Sequence, residues 1–368
     1  MIAMARTALD HIDIQGFKSI ADAKVELRPV NLLIGANGSG KSNFLEVFEF
    51  LNEIRQGRLQ RYVAGGADRV LHFGFKTTKA IQLQLDFGST LAYTLELVGN
   101  SSNQLFPGDQ VIYSNGLLIS KIFTVGGHNR EAAISDFSLP NHPSVSTLQK
   151  WLASIHRYKF NDSGSGSKLG RQANIDDNRL LTPDGSNLAP CLYYLQERQP
   201  EAYAQVVRTV RLAAPFFSNF QLAPLELKPD TIKLEWTHKE SSEYFDVASL
   251  SDGTLRFIAL ATLLLQPPAR HPAIILLDEP ELGLHPYAIG LLAAMIKQAA
   301  VDTQVVVATQ SPTLLDHFEP DDVLVADRIE GATRFRRLNS TDLASWLEDY
   351  SLSELWHMNE LGGGPIRA

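Results

Sequence analysis

The sequence predicts an α/β protein in which a parallel-sheet core carries an N-terminal antiparallel β subdomain and a helical insertion. Three observations predict this fold class. An apolar strand pattern, VNLLIG at 30–35, runs into a glycine-rich turn and then into a helical pattern. The stretch 81–98 alternates apolar and polar residues around a Gly-Ser-Thr turn, which indicates a hairpin. Between 273 and 327, strand and helix patterns alternate, which is typical of βαβ units on a parallel sheet.

The composition indicates a globular protein without a disulfide framework. The 368 residues are 44% hydrophobic and 20% charged, which excludes an intrinsically disordered chain. The single cysteine, Cys191, excludes an internal disulfide and a cysteine metal cluster within one chain, and it fits a reducing cytosol. The net charge of −8 argues against a surface coated with basic residues, but it leaves room for a local basic groove.

Neither a membrane span nor a secretion signal is predicted. The longest conspicuous apolar run, FIALATLLL, is far shorter than the roughly 18 to 20 residues that cross a bilayer. The opening stretch MIAMARTALD has no long apolar segment of the kind found in secretion signals. We therefore expect a cytoplasmic protein without a membrane partner.

The patterns divide the chain into three segments. Residues 1–140 are predicted to form an N-terminal lobe with the glycine-rich turn and antiparallel strands, and residues 226–368 a C-terminal lobe. Residues 141–225 are predicted to be a largely helical insertion, because SVSTLQKWLASI and EAYAQVVRTVRLAA space their apolar residues on one helical face. The stretch NDSGSGSKLG at 161–170, rich in glycine and serine, indicates a loop within it.

The glycine-rich turn GANGSGKS matches the phosphate-loop pattern G-x-x-x-x-G-K-[ST] in full, after a strand and before a helix. Gly35, Gly38 and Gly40 let the backbone curl so that several amides converge on phosphate oxygens. Lys41 would reach the β- and γ-phosphates, and Ser42 would be a Mg²⁺ ligand. The residues expected to bind the nucleotide here are Asn37, Gly38, Ser39, Gly40, Lys41, Ser42 and Asn43.

The segment AIILLDEP places two acidic residues after a buried strand. The carboxyl ends of parallel strands are where open α/β sheets bind their ligands. Asp278 would hold Mg²⁺ through water, and Glu279 would orient or deprotonate the attacking water. The alternative is that both residues only cap the next segment, but two adjacent buried carboxylates are costly without a cation.

Three motifs together resemble the ATP-binding-cassette class of ATPases. They are the phosphate loop, LSDGTLR about twenty residues before LLDEP, and ELGLHP. Within that class the stretch IDIQGFKSIADAKVELRPVNLLIGANGSGKSNFLEVFEFL is similar to the N-terminal lobe of the SMC/RecF-like branch. The ending LSELWHMNELGGGP resembles the tail of stand-alone prokaryotic ATPases, many of them associated with defence systems. The resemblance implies an ABC-type ATPase head with a P-loop core.

The resemblance assigns LSDG as a signature segment, which in this class completes the ATP site of a second subunit. Ser251 and the amide of Gly253 would then contact the γ-phosphate held by the partner, since a helix N-terminus is an anion site. A plain N-cap is the alternative role for Ser251. Asp252 departs from the commoner Gly-Gly pair, and we expect it to point aside and cap its own helix.

Four further residues are considered in light of the resemblance. Gln310, after the strand VVVAT, stands where many relatives have a histidine that contacts the γ-phosphate. Glutamine can donate a hydrogen bond there, but it cannot carry a proton. His285 would lie at the dimer seam or have a structural role. Gln82 and Gln84 are weak candidates for the Q-loop glutamine, with a surface strand position as the simpler interpretation.

The insertion also has basic residues interleaved with aromatic ones. They are Arg157, Tyr158, Lys159, Phe160, Lys168 and Arg171. Such an arrangement can follow a phosphate backbone, so DNA is among the expected partners. A solvated loop face is the simpler interpretation of the same residues.

The leading functional hypothesis is an ATP-hydrolysing switch that uses ATP and Mg²⁺. Two copies of the chain, or a higher oligomer, would sandwich the nucleotides and regulate a separate effector such as a nuclease or toxin, or act on DNA, in phage defence or DNA maintenance. The alternative is the nucleotide-binding subunit of an ABC transporter, which the long insertion disfavours. A built-in nuclease domain is not expected, because only about fifty residues follow Gln310.

Overall fold

The structure is a computed structural model that describes residues 8–122, 130–135, 143–160 and 168–364. The predicted loop at 161–170 therefore falls largely outside the described residues. The strands are β1 (His11–Phe17), β2 (Ile20–Glu26), β3 (Val30–Ile34), β4 (Ala80–Phe87), β5 (Leu91–Gly99), β6 (Leu105–Ser114), β7 (Leu117–Ile122), β8 (Ile155–Tyr158), β9 (Ala173–Asn174), β10 (Phe217–Gln221), β11 (Pro224–Leu225), β12 (Lys228–Ile232), β13 (Glu235–His238), β14 (Tyr244–Asp246), β15 (Ile274–Asp278), β16 (Gln304–Ala308), β17 (Val323–Ile329) and β18 (Ala332–Arg337).

The helices alternate with these strands and complete the α/β character of the fold. They are α1 (Lys41–Arg55), α2 (Leu59–Tyr62), α3 (Pro143–Ala153), α4 (Leu188–Arg198), α5 (Pro200–Ala213), α6 (Asp252–Leu264), α7 (Pro286–Ala299), α8 (Pro312–Leu315), α9 (Ser340–Leu343) and α10 (Leu352–His357). In the part of the chain that the structure describes, none of them is long and apolar enough to cross a membrane.

The chain forms two compact units, and the first comprises residues 1–156 and 319–368. Its antiparallel sheet has the strand order β2-β1-β4-β5-β6-β7. The predicted hairpin is confirmed: β4 and β5 pair with Leu83 opposite Leu95, and alternate residues of both strands are buried. The polar residues between them face outward, as the alternating pattern predicts.

The same unit contains the strand that precedes the phosphate loop. Strand β3 is buried along its whole length and pairs in parallel with β17, which in turn pairs antiparallel with β18. Helix α1 buries an aromatic face, in which Phe44 lies 5.0 Å from Phe335 between ring centroids and Phe50 lies 5.4 Å from Phe17. The contact with Phe335 of β18 holds the start of α1, and so the end of the phosphate loop, on the β17–β18 hairpin.

The second unit comprises residues 157–318. Its strands β15 and β16 pair in parallel with Asp278 opposite Ala308, and both are buried throughout, which confirms the predicted parallel strands. Helix α6 is buried from Leu255 to its end. The predicted segments 1–140, 141–225 and 226–368 stay a prediction; helices α3, α4 and α5 lie within the middle one.

Candidate functional site

The phosphate loop joins β3 to α1 and takes its shape from three glycines. Gly35, Gly38 and Gly40 have φ angles of 153°, 78° and 109°, a region that side chains with a Cβ rarely adopt. A Cβ on Gly35 would collide with the carbonyl oxygen of Ala326, and one on Gly40 would collide with the Thr333 hydroxyl. At Gly38 the space is open, so only the backbone angle requires glycine there.

The side chains of the loop place a positive charge and a hydroxyl inside it. The ammonium of Lys41 is buried and donates to the carbonyls of Gly35, at 2.6 Å, and Ala36, at 3.1 Å. Ser39 is 4% exposed, and its hydroxyl has no hydrogen-bond partner among the described residues. A buried hydroxyl without a partner beside a buried cation suits a ligand that brings anionic oxygens.

The N-terminus of α1 opens onto this loop. Its N-cap is Gly40 in the left-handed conformation, a residue with no side chain to accept hydrogen bonds from the first-turn amides. These amides and the helix dipole favour an anion. Ser42 is exposed in the first turn, and Asn37 is exposed at the tip of the loop. Asn43 instead donates to the Ser19 hydroxyl at 2.7 Å.

The β17–β18 hairpin braces the loop from outside, which the sequence analysis missed. The Thr333 hydroxyl donates to the carbonyl of Ser39 at 2.8 Å, and Arg328 donates to the carbonyl of Gly38 at 3.2 Å. Thr333 is fully buried. No local pattern links these residues to a loop almost 300 positions earlier, so only the β3–β17 pairing reveals them.

The acidic pair lies at the end of β15 in a strained backbone. Asp278 is the last residue of the strand, and the amide of Glu279 donates to the carbonyl of Ala308 at 2.8 Å. Glu279 has a φ of 48°, which is uncommon for a residue other than glycine. Strain of this kind clusters at functional sites, where the surrounding structure holds it in place.

Two cations from β8 and the residue after it neutralise Asp278. This carboxylate is 8% exposed; Arg157 lies 2.6 Å from its Oδ2 and Lys159 lies 3.7 Å from the same atom. The pairing offsets the cost of burying the charge. Tyr158 and Phe160, between and beside these cations, are buried.

The aromatic part of the suggested nucleic-acid surface is therefore wrong, whereas DNA binding by the insertion stays a prediction. The aromatic rings of Tyr158 and Phe160 are 2% and 5% exposed, so they offer no face on which a base could stack. Arg157 is bound to Asp278, and Lys168 lies 3.2 Å from Asp184. The solvated loop face also fails for Arg157, whose side chain is only 13% exposed.

The structure brings two predicted catalytic residues together. The side-chain amide of Gln310 donates to Oε1 of Glu279 at 2.6 Å. The contact needs only an N–H donor, so glutamine can make it although it cannot transfer a proton. It fixes the direction in which the half-buried Glu279 carboxylate points.

A second acid near this pair was not singled out from the sequence. Glu281 is 7% exposed and accepts a hydrogen bond from the hydroxyl of Thr309. Burial raises the pKa of Glu281 above its ordinary value, and the negative charge of Glu279 adds to the rise, against the hydrogen bond from Thr309. In the segment after β15, the carboxyl of Glu281 thus resists ionisation, and the nearby carboxylate of Glu279 is hydrogen-bonded to Gln310.

The signature segment caps α6 through Ser251. The Ser251 hydroxyl accepts the amide of Thr254 at 3.2 Å, and Asp252 is the first helical residue. The expectation that Asp252 caps the helix is therefore wrong, because the extended backbone of Ser251 (φ −67°, ψ 152°) puts that residue at the cap position. Both side chains are exposed, and Asp252 lies in the first turn, where a negative charge is favourable.

Helix α6 begins in close backbone contact with the segment ELGLHP. A Cβ on Gly253 would collide with the carbonyl oxygen of Gly283. Arg256, also missed from the sequence, is 8% exposed; it donates to the carbonyl of Leu282 and, at 2.9 Å, to that of Phe160. His285 is the N-cap of α7 and accepts the amide of Tyr287 at 3.2 Å, a structural role.

The two weak Q-loop candidates lie on the antiparallel sheet. Gln82 donates to Glu96 at 3.2 Å, and Gln84 donates to Asp86 at 3.0 Å. Both are side-chain contacts on strands β4 and β5, the surface position that the alternation indicated.

The chain offers suitable donors for a Mg²⁺ ion. Mg²⁺ prefers oxygen ligands, keeps several waters and commonly uses only one or two protein groups besides phosphates. The exposed Ser42 hydroxyl and the Asp278 carboxylate have this chemistry. Among the described residues, no group of three or more His, Cys, Asp or Glu side chains is arranged to hold a metal.

Two family models match the chain over separate stretches. The family described as "AAA ATPase domain" matches residues 8–114. The family described as "AAA domain, putative AbiEii toxin, Type IV TA system" matches residues 148–316. A search of the curated proteins finds no match. The first stretch contains the phosphate loop, and the second contains the signature segment and the acidic pair.

Solved structures of SMC head domains share the fold. An SMC head bound to the C-winged helix domain of ScpA has a TM-score of 0.61 at 15% identity, over 92% of this chain and 99% of that chain. A Smc head with an extended coiled coil, bound to the C-terminal domain of ScpA derived from Pyrococcus furiosus, has a TM-score of 0.56 at 13% identity, over 93% and 99% of the two chains. The likeness confirms the predicted α/β head fold.

Proposed function

We propose that the chain is a P-loop ATPase of the SMC/RecF-like branch and that it works as a molecular switch that binds and hydrolyses ATP with Mg²⁺. One observation carries this proposal. The phosphate loop combines an uncapped helix N-terminus, the buried ammonium of Lys41 and the unpartnered buried hydroxyl of Ser39. Together these groups suit a polyphosphate chain.

Four residues of the loop and the acidic pair have a stated role toward the nucleotide in this proposal. Lys41 would exchange its loop carbonyls for β- and γ-phosphate oxygens, and Ser42 and Asp278 would hold Mg²⁺. The metal, when bound, supplies charge neutralisation at the phosphates. Glu279 would orient the attacking water or accept its proton, with its carboxylate held by Gln310.

Nucleotide binding is tested by equilibrium titration with a fluorescent ATP analogue in the presence and absence of Mg²⁺. The wild-type chain is expected to bind it in a Mg²⁺-dependent manner, and the variant Ser42→Ala should lose most of the Mg²⁺ dependence while retaining metal-free binding. Wild-type protein that does not bind nucleotide would overturn the proposal.

We further propose that the signature segment completes the site of a second copy of the chain. Ser251 and Gly253 lie at an exposed helix N-terminus, which suits a γ-phosphate presented from outside. Two large apolar side chains near this start, Leu282 at 44% and Tyr287 at 57% exposure, supply apolar surface for a seam. The arrangement supports a homodimer with composite ATP sites.

The dimer is tested with the variant Glu279→Gln, which keeps the Gln310 contact but slows hydrolysis, so that bound ATP accumulates. Sedimentation velocity should show ATP-dependent dimers of this variant. Adding Ser251→Arg, which places bulk in the seam, should abolish these dimers while nucleotide binding to the monomer remains. Dimers that persist when both copies carry the Ser251→Arg substitution contradict the composite site.

The biological role that we propose is control of a separate effector in a defence setting. Support comes from the family description over residues 148–316, which names an AbiEii toxin and a type IV toxin–antitoxin system. The two SMC heads, whose structures contain bound ScpA domains, are examples of this fold with a protein partner.

Affinity capture from the native host tests this role. The Glu279→Gln variant with ATP should retain a nuclease or toxin. Capture of the same proteins by a Lys41→Met variant would contradict an ATP-controlled interaction.

A further inference from the structure

The segment Leu361–Gly364, which follows α10, packs against the phosphate loop. Leu361 is 1% exposed and anchors the segment in the core. Arg336 of β18 donates to the carbonyl of Leu361 at 2.6 Å. The segment is thus held at a defined position, about 325 residues beyond the loop in sequence.

Gly363 makes the contact with the loop. Its φ is 69°, and a Cβ there would lie 3.1 Å from the Cα of Gly35 and 3.0 Å from the Val325 side chain. Its amide donates to Oδ1 of Asp327 at 2.6 Å. Glycine is therefore needed twice at Gly363, for its backbone angle and for the close approach to the first glycine of the loop.

Three consecutive residues of β17 join the segment and the loop. The carbonyl of Ala326 lies against Gly35, the carboxylate of Asp327 accepts the amide of Gly363, and Arg328 donates to the carbonyl of Gly38. A displacement of the segment therefore changes the support of the loop both directly, at Gly35, and through this strand.

We propose that the segment Leu361–Gly364 is a positioning element of the phosphate loop, with Gly363 as the residue that acts on it. The segment touches no phosphate itself; it fixes Gly35, whose backbone starts the curl that aims the loop amides. The inference rests on the proposed ATP binding and deepens it. Since binding couplings are reciprocal, nucleotide binding in turn stabilises the docked segment.

The test compares Gly363→Ala with Gly116→Ala. Gly116 lies in the β6–β7 hairpin with a φ of 75° and nothing within 4 Å of its would-be Cβ, so its alanine variant carries the same backbone strain without a contact. Both variants should lose thermal stability from backbone strain, and Gly363→Ala should lose more because its Cβ also crowds Val325 and Gly35. Only Gly363→Ala should weaken binding of the fluorescent ATP analogue, by about 5- to 150-fold, the usual range of a coupling between sites.

Hydrogen exchange on the wild-type chain provides a second measurement that needs no variant. Adding ATP should slow exchange of the Gly363 and Gly364 amides, while the Gly116 amide should be unchanged. Equal nucleotide affinity of the two alanine variants, or ATP-independent exchange at Gly363 in protein that binds ATP, overturns the inference alone. Wild-type protein that binds no ATP overturns the proposed function and the inference together.

Discussion

The two helix N-termini that we propose as phosphate sites are built in opposite ways. Helix α1 starts at Gly40, which leaves its first-turn amides without a side-chain cap, inside a loop that Thr333 and Lys41 brace from both sides. Helix α6 starts at Ser251, which caps itself through the amide of Thr254 and is exposed. The N-terminus of α1 thus lacks a side-chain cap but lies in a braced loop. The N-terminus of α6 has a side-chain cap and is exposed to solvent.

The difference indicates how each end uses its positive dipole. An uncapped end in a rigid loop gains most from a ligand, because the ligand satisfies donors that would otherwise be unpaired. A capped helix N-terminus is stable without a ligand, so it can remain exposed at the surface and contact a phosphate only when a partner presents one. The contrast supports our proposal that the first end binds nucleotide tightly and that the second contacts a phosphate only when a partner presents one.

The largest expected effect tests the first of the two helix N-termini, the one in the phosphate loop. Lys41→Met removes the ammonium inside the loop and should weaken ATP binding by about 3 kcal/mol, roughly 100-fold, since two charge-assisted hydrogen bonds are lost. Titration with the fluorescent analogue measures it. The control Lys24→Met changes a lysine whose side chain is 67% exposed and should bind normally. Unchanged affinity of Lys41→Met would falsify the assignment of the loop.

The second effect tests how strongly the two cations near Asp278 of the acidic pair stabilise its buried charge. Arg157→Met should lower the free energy of unfolding by about 3 kcal/mol, because the buried Asp278 loses its closest cation. Lys159→Met, at 3.7 Å with a side chain 55% exposed, should cost less than about 1 kcal/mol. Urea unfolding of both variants without nucleotide measures the difference, and equal losses would show that Arg157 does not hold the pair.

The third effect sharpens the signature half of the comparison. Ser251→Asp keeps a good N-cap, so thermal stability should stay near that of the wild type, but its carboxylate should repel a γ-phosphate and abolish ATP hydrolysis. Ser251→Ala should lose about 1 kcal/mol of stability with the cap and retain part of the turnover. A Ser251→Asp protein that hydrolyses ATP at the wild-type rate would leave the residue as a cap alone.

The smallest effect concerns pH. The folded-state pKa of Glu281 is raised by burial, so its protonated form stabilises the fold at acid pH and this contribution is lost as the pH rises through the folded pKa. Glu281→Gln cannot titrate. Its free energy of unfolding relative to the wild type, measured by urea unfolding across pH, should therefore rise as the pH increases from about pH 4. A difference that is constant with pH contradicts the raised pKa of Glu281.

Local chemistry could be predicted from the sequence because it is written in short patterns. The phosphate loop, the strand that ends at Asp278 and the helix start at Ser251 depend on residues within a few positions. The choice between Ser251 and Asp252 as the cap failed, because both residue types are good caps and only the backbone angles decide.

The contacts that support the site could not be predicted in the same way. Arg157 with Asp278 and Thr333 with Ser39 join residues more than a hundred positions apart, and neither pair forms a periodic pattern. The predicted stacking surface at Tyr158 and Phe160 was wrong for the same reason. Alternating basic and aromatic residues occur both on exposed stacking surfaces and on strands whose aromatic rings are buried, as here. Tertiary packing decides between these, and packing is set by the whole chain.

The close approach of Gly253 and Gly283 limits how this sequence can change over evolutionary time. A substitution that enlarges one side of a packed contact is often rescued by a smaller residue on the other side. Here both sides are already glycine, the smallest residue, and Gly283 also has a φ of 76°. No single compensating replacement exists, so drift at either position is blocked as long as the helix must begin at that spot.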